Sequence, residues 1–266
     1  MTRNVVVRSA RVLRNCISLL LLGLVLWPAQ LAAQAPGRGR LKVLFLGDNG
    51  HHRPYQRAKE SLALLAQNGI DLFYTDERED LNATELDKYH VLMLYNNHTT
   101  VAPAQLQSLL EFVRDGGGLV VLHCASASFQ NSEEFIKLVG AAFKTHGTGT
   151  FTVTRATPNH PAIRGVPSFE TWDETYVHTK HNPANRTVLE VRSADGHDEP
   201  WTWVKPYGSG RVYYTAWGHD QRTWGNAGFQ QQLLQATKWA AGDWALTQRL
   251  AEPNPQEVAL EMPIPT

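Results

Sequence analysis

The order of short apolar runs and amphipathic stretches constrains the fold most strongly. Four apolar runs in the N-terminal half are short enough to be buried strands. They are 42–46, 70–74, 91–95 and 119–122. Stretches 55–68 and 103–114 lie between them and repeat apolar residues at helical spacing. Strands that alternate with helices of this length predict a parallel sheet covered by helices on both faces, which is an α/β fold.

The second half is richer in strand-like runs. A third helix is expected over 132–139 and a last one over 229–241. Four further runs look extended: 151–154, 188–191, 201–204 and 212–216. We therefore expect one α/β domain over 36–243, followed by a Pro-containing tail over 244–266.

The N-terminal segment 1–35 is typical of a secretory signal peptide. Four arginines precede an apolar stretch over 17–27, and small residues over 31–35 supply a cleavage site. The apolar stretch is shorter than the roughly 18 residues needed to cross a bilayer, so no membrane anchor is expected after cleavage. The sequence therefore predicts an exported protein, periplasmic or extracellular.

Charge and cysteine content exclude some functions. Lys and Arg together number 25, as do Asp and Glu, so the formal net charge is zero. Without a basic excess, nucleic acid is not an expected partner. Loss of the signal segment would remove Cys16 and leave Cys124 as the single cysteine, so no internal disulfide is expected.

Polar residues follow several predicted strands at the point where each ends. In open parallel sheets, ligands bind beyond the carboxyl ends of the strands. The candidates there are His51, Asn97, His98, His123 and His219. Any single histidine could instead cap a helix or bond within its loop, but four histidine-bearing loops at one edge favour a site.

Acidic and aromatic residues add further candidates. Asp173 and Glu174 are adjacent, and on a strand they would point to opposite faces, so only one would enter a site; an ordinary surface acid pair is the alternative. Trp201 and Trp217, together with two other tryptophans, could stack on sugar rings or simply pack in the core.

The sequence leaves the metal content open. No metal-binding motif with standard spacing appears, and no cofactor is predicted with certainty. A divalent metal bound by separate loops, for example through His51, His123 and His219, remains a hypothesis.

Cys124 is the remaining reactive side chain. It stands where related folds place a nucleophile, but Leu122 and Ser126 occupy positions where a nucleophile elbow needs glycine. A buried packing role is expected, with a Cys124-dependent amidase or hydrolase as an alternative.

Four segments together resemble the ThuA-like, or trehalose-utilisation, family. They are 116–123, 159–165, 172–176 and 206–220, and the resemblance covers about 41–243. It implies a flavodoxin-like three-layer sandwich with a mostly parallel central sheet, similar to class I glutamine amidotransferases. It also implies a role in the catabolism of disaccharides, glycosides or their 3-keto derivatives.

The resemblance places polar family positions at five points along this chain. These are His123, the pair Asp173 and Glu174, Tyr176, Arg211 and His219. Two positions depart from the family: Thr175 and Trp217 stand where leucine is usual.

These positions suggest acid/base chemistry on sugars or their 3-keto derivatives, either cleavage of the glycosidic bond by a hydrolase or lyase, or isomerisation. In this hypothesis His123 or His219 is the base, and Asp173 or Glu174 is the acid. Tyr176 or a metal polarises the ketone. The proposed substrate-binding residues are His51, Asn97, His98, Trp201 and Trp217.

The expected partner is a small carbohydrate, and the sequence leaves oligomerisation open. A non-catalytic exported carbohydrate-binding protein is the main alternative to an enzyme.

Overall fold

An eight-stranded sheet forms the centre of the fold. We describe the protein from a computed structural model covering residues 39–194 and 196–242. The predicted signal segment 1–35 and the tail 244–266 lie outside the described residues. All described residues belong to one compact unit. No helix among them is both long and apolar enough to cross a membrane.

The described residues form ten strands and six α-helices. The strands are β1 (Leu41–Leu46), β2 (Ile70–Thr75), β3 (Val91–Leu94), β4 (Gly118–Leu122), β5 (Ala142–Phe151), β6 (Thr154–Arg155), β7 (Thr171–Thr179), β8 (Thr187–Ala194), β9 (His197–Tyr207) and β10 (Gly210–Thr215). The helices are α1 (Pro54–Gln67), α2 (Ala83–Leu86), α3 (Pro103–Arg114), α4 (Glu133–Val139), α5 (Gln221–Trp224) and α6 (Ala227–Ala240). Short 3-10 turns span Arg78–Asp80 and His123–Ala127.

The strand order confirms the predicted α/β class with a mostly parallel sheet. The order is β2-β1-β3-β4-β10-β9-β8-β6, and the first five strands run parallel. The last three join through antiparallel pairings. Every residue of β3 and β4 is buried, as expected for central strands covered on both faces. The carboxyl ends of β1, β3, β4 and β10 therefore meet at one edge.

A second, two-stranded sheet was not predicted from the sequence. It pairs β5 with β7 in antiparallel register, with Thr148 opposite Glu174. The strand expected over 151–154 was wrong, because β5 ends at Phe151 and β6 begins at Thr154. Most of β5 is exposed, so the segment has no apolar run that would mark it as a strand.

Glycine at the start of β10 permits a close backbone approach. A Cβ atom on Gly210 would overlap the carbonyl oxygens of Val113 and Gly117. These are backbone atoms, so they cannot swing aside as a side chain could.

We predict that Gly210→Ala destabilises the protein by about 1–3 kcal/mol, because the methyl group forces β10 away from the end of α3. Urea unfolding measures the change. Gly149→Ala is the matched control, since a Cβ there meets nothing within 4 Å, and it should shift stability by at most about 0.5 kcal/mol. Equal midpoints for the two variants would contradict the prediction.

Candidate active site

Four ionisable side chains from four separate segments converge at the carboxyl edge of the sheet. His52 precedes α1, His123 begins the turn after β4, Glu174 lies on β7, and His219 follows β10. One nitrogen or carboxylate oxygen from each lies within 4.8 Å of the others. We call these four residues the His-Glu cluster. Three of its members are buried and the fourth, His219, is partly exposed.

His123 is held in a single tautomer by the backbone. Its Nδ1 lies 2.6 Å from the carbonyl oxygen of Ala216. A carbonyl oxygen only accepts hydrogen bonds, so Nδ1 carries the proton and donates it. In the neutral ring, Nε2 then presents a lone pair, and it lies 3.1 Å from Glu174 Oε2.

The backbone of His123 adopts a left-handed conformation, with φ of 46°. Its carbonyl oxygen accepts a hydrogen bond from Ser126 Oγ, which in turn accepts one from Tyr214 Oη. Tyr214 is also 2.8 Å from His178, whose other ring nitrogen is 2.7 Å from Glu199. All of these side chains are buried. A continuous series of hydrogen-bonded side chains therefore supports the strained turn at His123.

Asp173 positions the loop that carries His219. Its carboxylate accepts hydrogen bonds from the backbone amides of Glu174, Gly218 and His219 and from Thr223 Oγ1, at 2.7–3.2 Å. Burial raises the pKa of Asp173, and this shift is opposed first by the charge of His123 and then by the donors of Gly218, Thr223 and Glu174. Because all four donors are fixed, this carboxylate acts as a brace between β7 and the loop after β10.

Gly218 completes the same loop. Its φ is 134°, a backbone conformation that residues other than glycine rarely adopt. Its carbonyl oxygen accepts hydrogen bonds from Tyr95 Oη and Trp224 Nε1. The loop backbone is therefore bonded on both its amide and its carbonyl side.

Glu174 is the electrostatic centre of the cluster. Burial alone would raise the pKa of its carboxyl, but His123 and His219 together lower the pKa well below its ordinary value. Glu174 Oε1 lies 3.1 Å from His219 Nδ1 and 3.5 Å from His146 Nε2. In return, the carboxylate raises the pKa of His219.

His52 behaves differently from the other two cluster imidazoles. Burial, reinforced by the neighbouring imidazoles, lowers the pKa of His52 to about 2, so the ring is neutral. Its Nδ1 lies 3.0 Å from the side-chain amide of Asn97. Its Nε2 is buried and has no hydrogen-bond partner within the described part of the chain.

A polar cavity of about 480 Å³ opens beside the cluster. Its lining residues are His51, His52, Arg53, Arg57, His219, Asp220, Gln221 and Arg222. Arg57 is paired with Glu60, and Arg222 with Asp220. Another cavity, of about 390 Å³, lies at the opposite edge around Gly116 and Gly117, and no comparable cluster of described residues lies beside it. The cavity beside the cluster is therefore the candidate substrate site.

The structure brings together three of the five residues that the sequence suggested as catalytic: His123, Glu174 and His219. Asp173 faces away from the cluster, as strand alternation predicted for one member of the acid pair. Tyr176 is buried, with its ring stacked on His123 at 4.3 Å between centroids. The Tyr176 ring therefore packs against the His123 imidazole and supports its position.

The residues suggested for substrate binding are spread more widely. His51 is exposed and lines the cavity, and Asn97 contacts His52. His98 Nε2 is 3.1 Å from the carbonyl oxygen of Gly47. Trp201 and Trp217 are both 0% exposed, so their rings are core residues with no face open to a ligand.

Sequence reasoning missed His52, the buried neighbour of His51. The pair occupies one loop, and the sequence does not show which ring turns inward. Glu174 was likewise absent from the metal hypothesis built on His51, His123 and His219. Cys124 is buried, and burial raises the pKa of its thiol well above the usual value, which disfavours a nucleophilic role.

Comparison with known families fits this architecture. The model of the family described as trehalose utilisation, ThuA, matches residues 42–240. The chain belongs to the ThuA family. No curated protein matches it in sequence.

Solved structures show the same fold at low sequence identity. A ThuA-like protein from Bacteroides uniformis is 21% identical with a TM-score of 0.66, covering 77% of this chain and 93% of its own. One from Parabacteroides merdae is 20% identical with a TM-score of 0.64, covering 76% and 90% respectively. A β-galactosidase from Bacillus circulans is 16% identical with a TM-score of 0.51, covering 82% of this chain and 32% of its own. At these identities the likeness concerns the fold alone.

We predict that Asp173→Asn destabilises the protein by about 2–4 kcal/mol, because the amide turns a donor toward groups that are themselves donors. Chemical unfolding measures the change. Asp71→Asn is the control, since it removes a part-exposed ion pair with Arg40 and should cost at most about 1 kcal/mol. Similar losses in both variants would show that Asp173 does not brace the loop.

Proposed function

We propose that the protein is an exported carbohydrate-catabolic enzyme that acts on disaccharides, glycosides or their 3-keto derivatives. One observation carries the proposal: three imidazoles and a carboxylate converge at the carboxyl edge of the sheet, beside a polar cavity. Membership of the family described as trehalose utilisation supports a carbohydrate substrate.

The cavity suits an uncharged, polyhydroxylated ligand. Two of its three arginines are paired with acidic side chains, so much of the cationic charge is neutralised locally. The imidazoles, guanidinium groups and amide that remain offer hydrogen-bond donors and acceptors to hydroxyl groups.

Cleavage of a 3-keto glycoside by elimination matches the arrangement. The ketone acidifies the proton on C2; a base removes it, and the electron pair moves to the ketone oxygen as an enolate forms. Collapse of the enolate forms a C1–C2 double bond and breaks the bond from C1 to the leaving oxygen, which takes up a proton. Addition of water across the double bond then completes a net hydrolysis.

We assign these tasks to the His-Glu cluster and to His51 beside it. In this proposal His123, Glu174 and His219 form the reaction centre that receives the ketone oxygen. His51 is exposed at the cavity, with its ring centroid 3.9 Å from that of His52. Both ring nitrogens of His123 are already engaged. We therefore assign proton transfer to His51, which takes the C2 proton and returns it to the leaving oxygen.

Turnover of 3-keto-trehalose and 3-keto-glucosides, compared with the unoxidised sugars, tests the proposal. We expect the wild type to cleave the keto sugars, and His51→Ala to lower kcat by about 100-fold or more. His197→Ala is the matched control, because that side chain is 74% exposed on β9, outside the cavity. Sugar binding without turnover of any of these compounds would identify a carbohydrate-binding protein instead.

Cys124→Ser separates the amidase alternative from the proposed enzyme. The buried thiol faces no part of the cavity lining, so turnover of keto sugars should be unchanged. Loss of activity in this variant, with the fold intact by circular dichroism, would favour a cysteine nucleophile.

Export has its own test. Expressed in a bacterium with its native N-terminus, the protein should be recovered outside the cytoplasm and lack its first 33 or 35 residues, since the small-residue stretch over 31–35 suits cleavage after Ala33 or Ala35. Intact mass and N-terminal sequencing measure this. Recovery of the uncleaved chain in the cytoplasm would contradict export.

A further inference from the structure

We propose that the His-Glu cluster binds one first-row divalent transition-metal ion through His52, His123, Glu174 and His219. The proposal stands on the geometry of these four residues. It rests on the proposed function only for the role of the ion, which would be to polarise the ketone oxygen of the substrate.

The fixed tautomer of His123 is the first argument. Because its Nδ1–H is donated to the Ala216 carbonyl, the neutral ring directs the Nε2 lone pair at Glu174 Oε2, 3.1 Å away. A lone pair facing a carboxylate is repulsive unless a positive species lies between them. The backbone thus prepares Nε2 to bind a proton or a metal ion.

The other two imidazoles show that a proton is insufficient. His52 Nε2 and His219 Nδ1 are both buried, and neither makes a hydrogen bond of acceptable geometry, although the latter is 3.1 Å from Glu174 Oε1. Protons on His123 and on His219 can each bridge to one oxygen of Glu174, but His52 Nε2 is then still left unsatisfied among the described residues. Buried polar atoms without partners are rare. A single metal ion would satisfy all three nitrogens and the carboxylate.

The spacing of the donor atoms fits one ion after the site contracts. Four atoms at most 4.8 Å apart lie at most about 2.9 Å from a common centre, against about 2.0–2.2 Å for bonds from zinc to imidazole or carboxylate. The four donors come from four different segments, so each can move slightly without distorting a shared element.

Groups around the cluster orient its imidazoles as they do in metal sites. A ligating histidine usually donates its second ring N–H to a carbonyl, amide or carboxylate oxygen. Ala216 O serves His123 in this way. Asn97 contacts His52 Nδ1 at 3.0 Å, and after a 180° turn of its amide Oδ1 accepts the proton there. Asp173 holds the backbone of His219.

The donor set selects the class of metal. Three imidazoles and one carboxylate suit Zn²⁺, Fe²⁺, Co²⁺ or Mn²⁺, whereas Mg²⁺ and Ca²⁺ prefer oxygen ligands alone. An ion that accepts five or six ligands keeps positions for substrate oxygens after binding these four side chains.

Metal binding to protein without a His-tag tests the proposal. The chelator-treated protein is titrated with ZnCl₂, MnCl₂ and MgCl₂ by calorimetry, and metal content after dialysis is measured by mass spectrometry. We expect one equivalent of Zn²⁺ or Mn²⁺ per chain, a higher Tm on binding, and no binding of Mg²⁺. Less than about a tenth of an equivalent of every ion would overturn the proposal.

Variants locate the ion. His52→Ala and Glu174→Gln should each weaken binding by about 10-fold to 100-fold or more, with circular dichroism showing that the fold is retained. His197→Ala and His51→Ala are the controls. The first removes an imidazole on the surface and the second removes one next to His52, and neither is a proposed ligand. Both variants should bind metal normally. Unchanged affinity in His52→Ala and Glu174→Gln would place the ion elsewhere and refute the site.

The outcomes for the metal and for the enzyme are separable. One equivalent of metal with no turnover of keto sugars would refute the proposed function and leave the metal site standing. Turnover that survives complete chelation, in protein that binds no metal, would refute the metal site and leave the enzyme standing.

Discussion

The site depends on the hydrogen bonds that the buried carboxylate of Asp173 accepts. The carboxylate joins β7 of the small sheet to the loop after β10 through the amides of Gly218 and His219, and to α5 through the Thr223 hydroxyl group. The amide of Glu174, on β7 itself, is its fourth donor. Burying a charge is costly unless fixed donors replace the lost water, and here four do so. Since successive side chains on a strand point to opposite faces, fixing Asp173 on one side of β7 directs Glu174 to the other. Glu174 and His219 therefore become neighbours through a residue that takes no part in the cluster itself.

The position of His123 is maintained at a cost in backbone energy. A left-handed conformation at a residue other than glycine costs on the order of 1–3 kcal/mol and persists only where the surroundings enforce it. Two groups of contacts do so: the Ala216 carbonyl and the Tyr176 ring hold the imidazole, and Ser126 holds the backbone oxygen. The buried chain through Tyr214 and on to Glu199 anchors that hydroxyl in turn. Strain at this position, enforced by several independent contacts, is typical of a functional residue.

The sequence predicts the scaffold of this site better than its contents. Buried parallel strands are short and apolar, so their order and the histidines at their ends could be inferred. The exposed strand β5 lacks such a signal, so the two-stranded sheet that carries Glu174 was not predicted. Choosing between His51 and His52 requires knowing which ring the loop turns inward, which depends on tertiary contacts such as that with Asn97. The tryptophans illustrate the opposite limit, since a residue suited to sugar stacking is equally suited to a core, and Trp201 and Trp217 are buried.

The charge of the cluster determines which half of the chemistry it can serve. The ionised carboxylate of Glu174 would repel the oxyanion that forms when a proton leaves the carbon beside a ketone. A divalent ion held by the same four residues would offset that negative charge and would attract the oxyanion. The proton must then be taken by a group outside the ligand set that still faces the cavity, as His51 does. In this proposal the buried ring of His52 would hold the metal ion, and the exposed ring of His51 would move the proton.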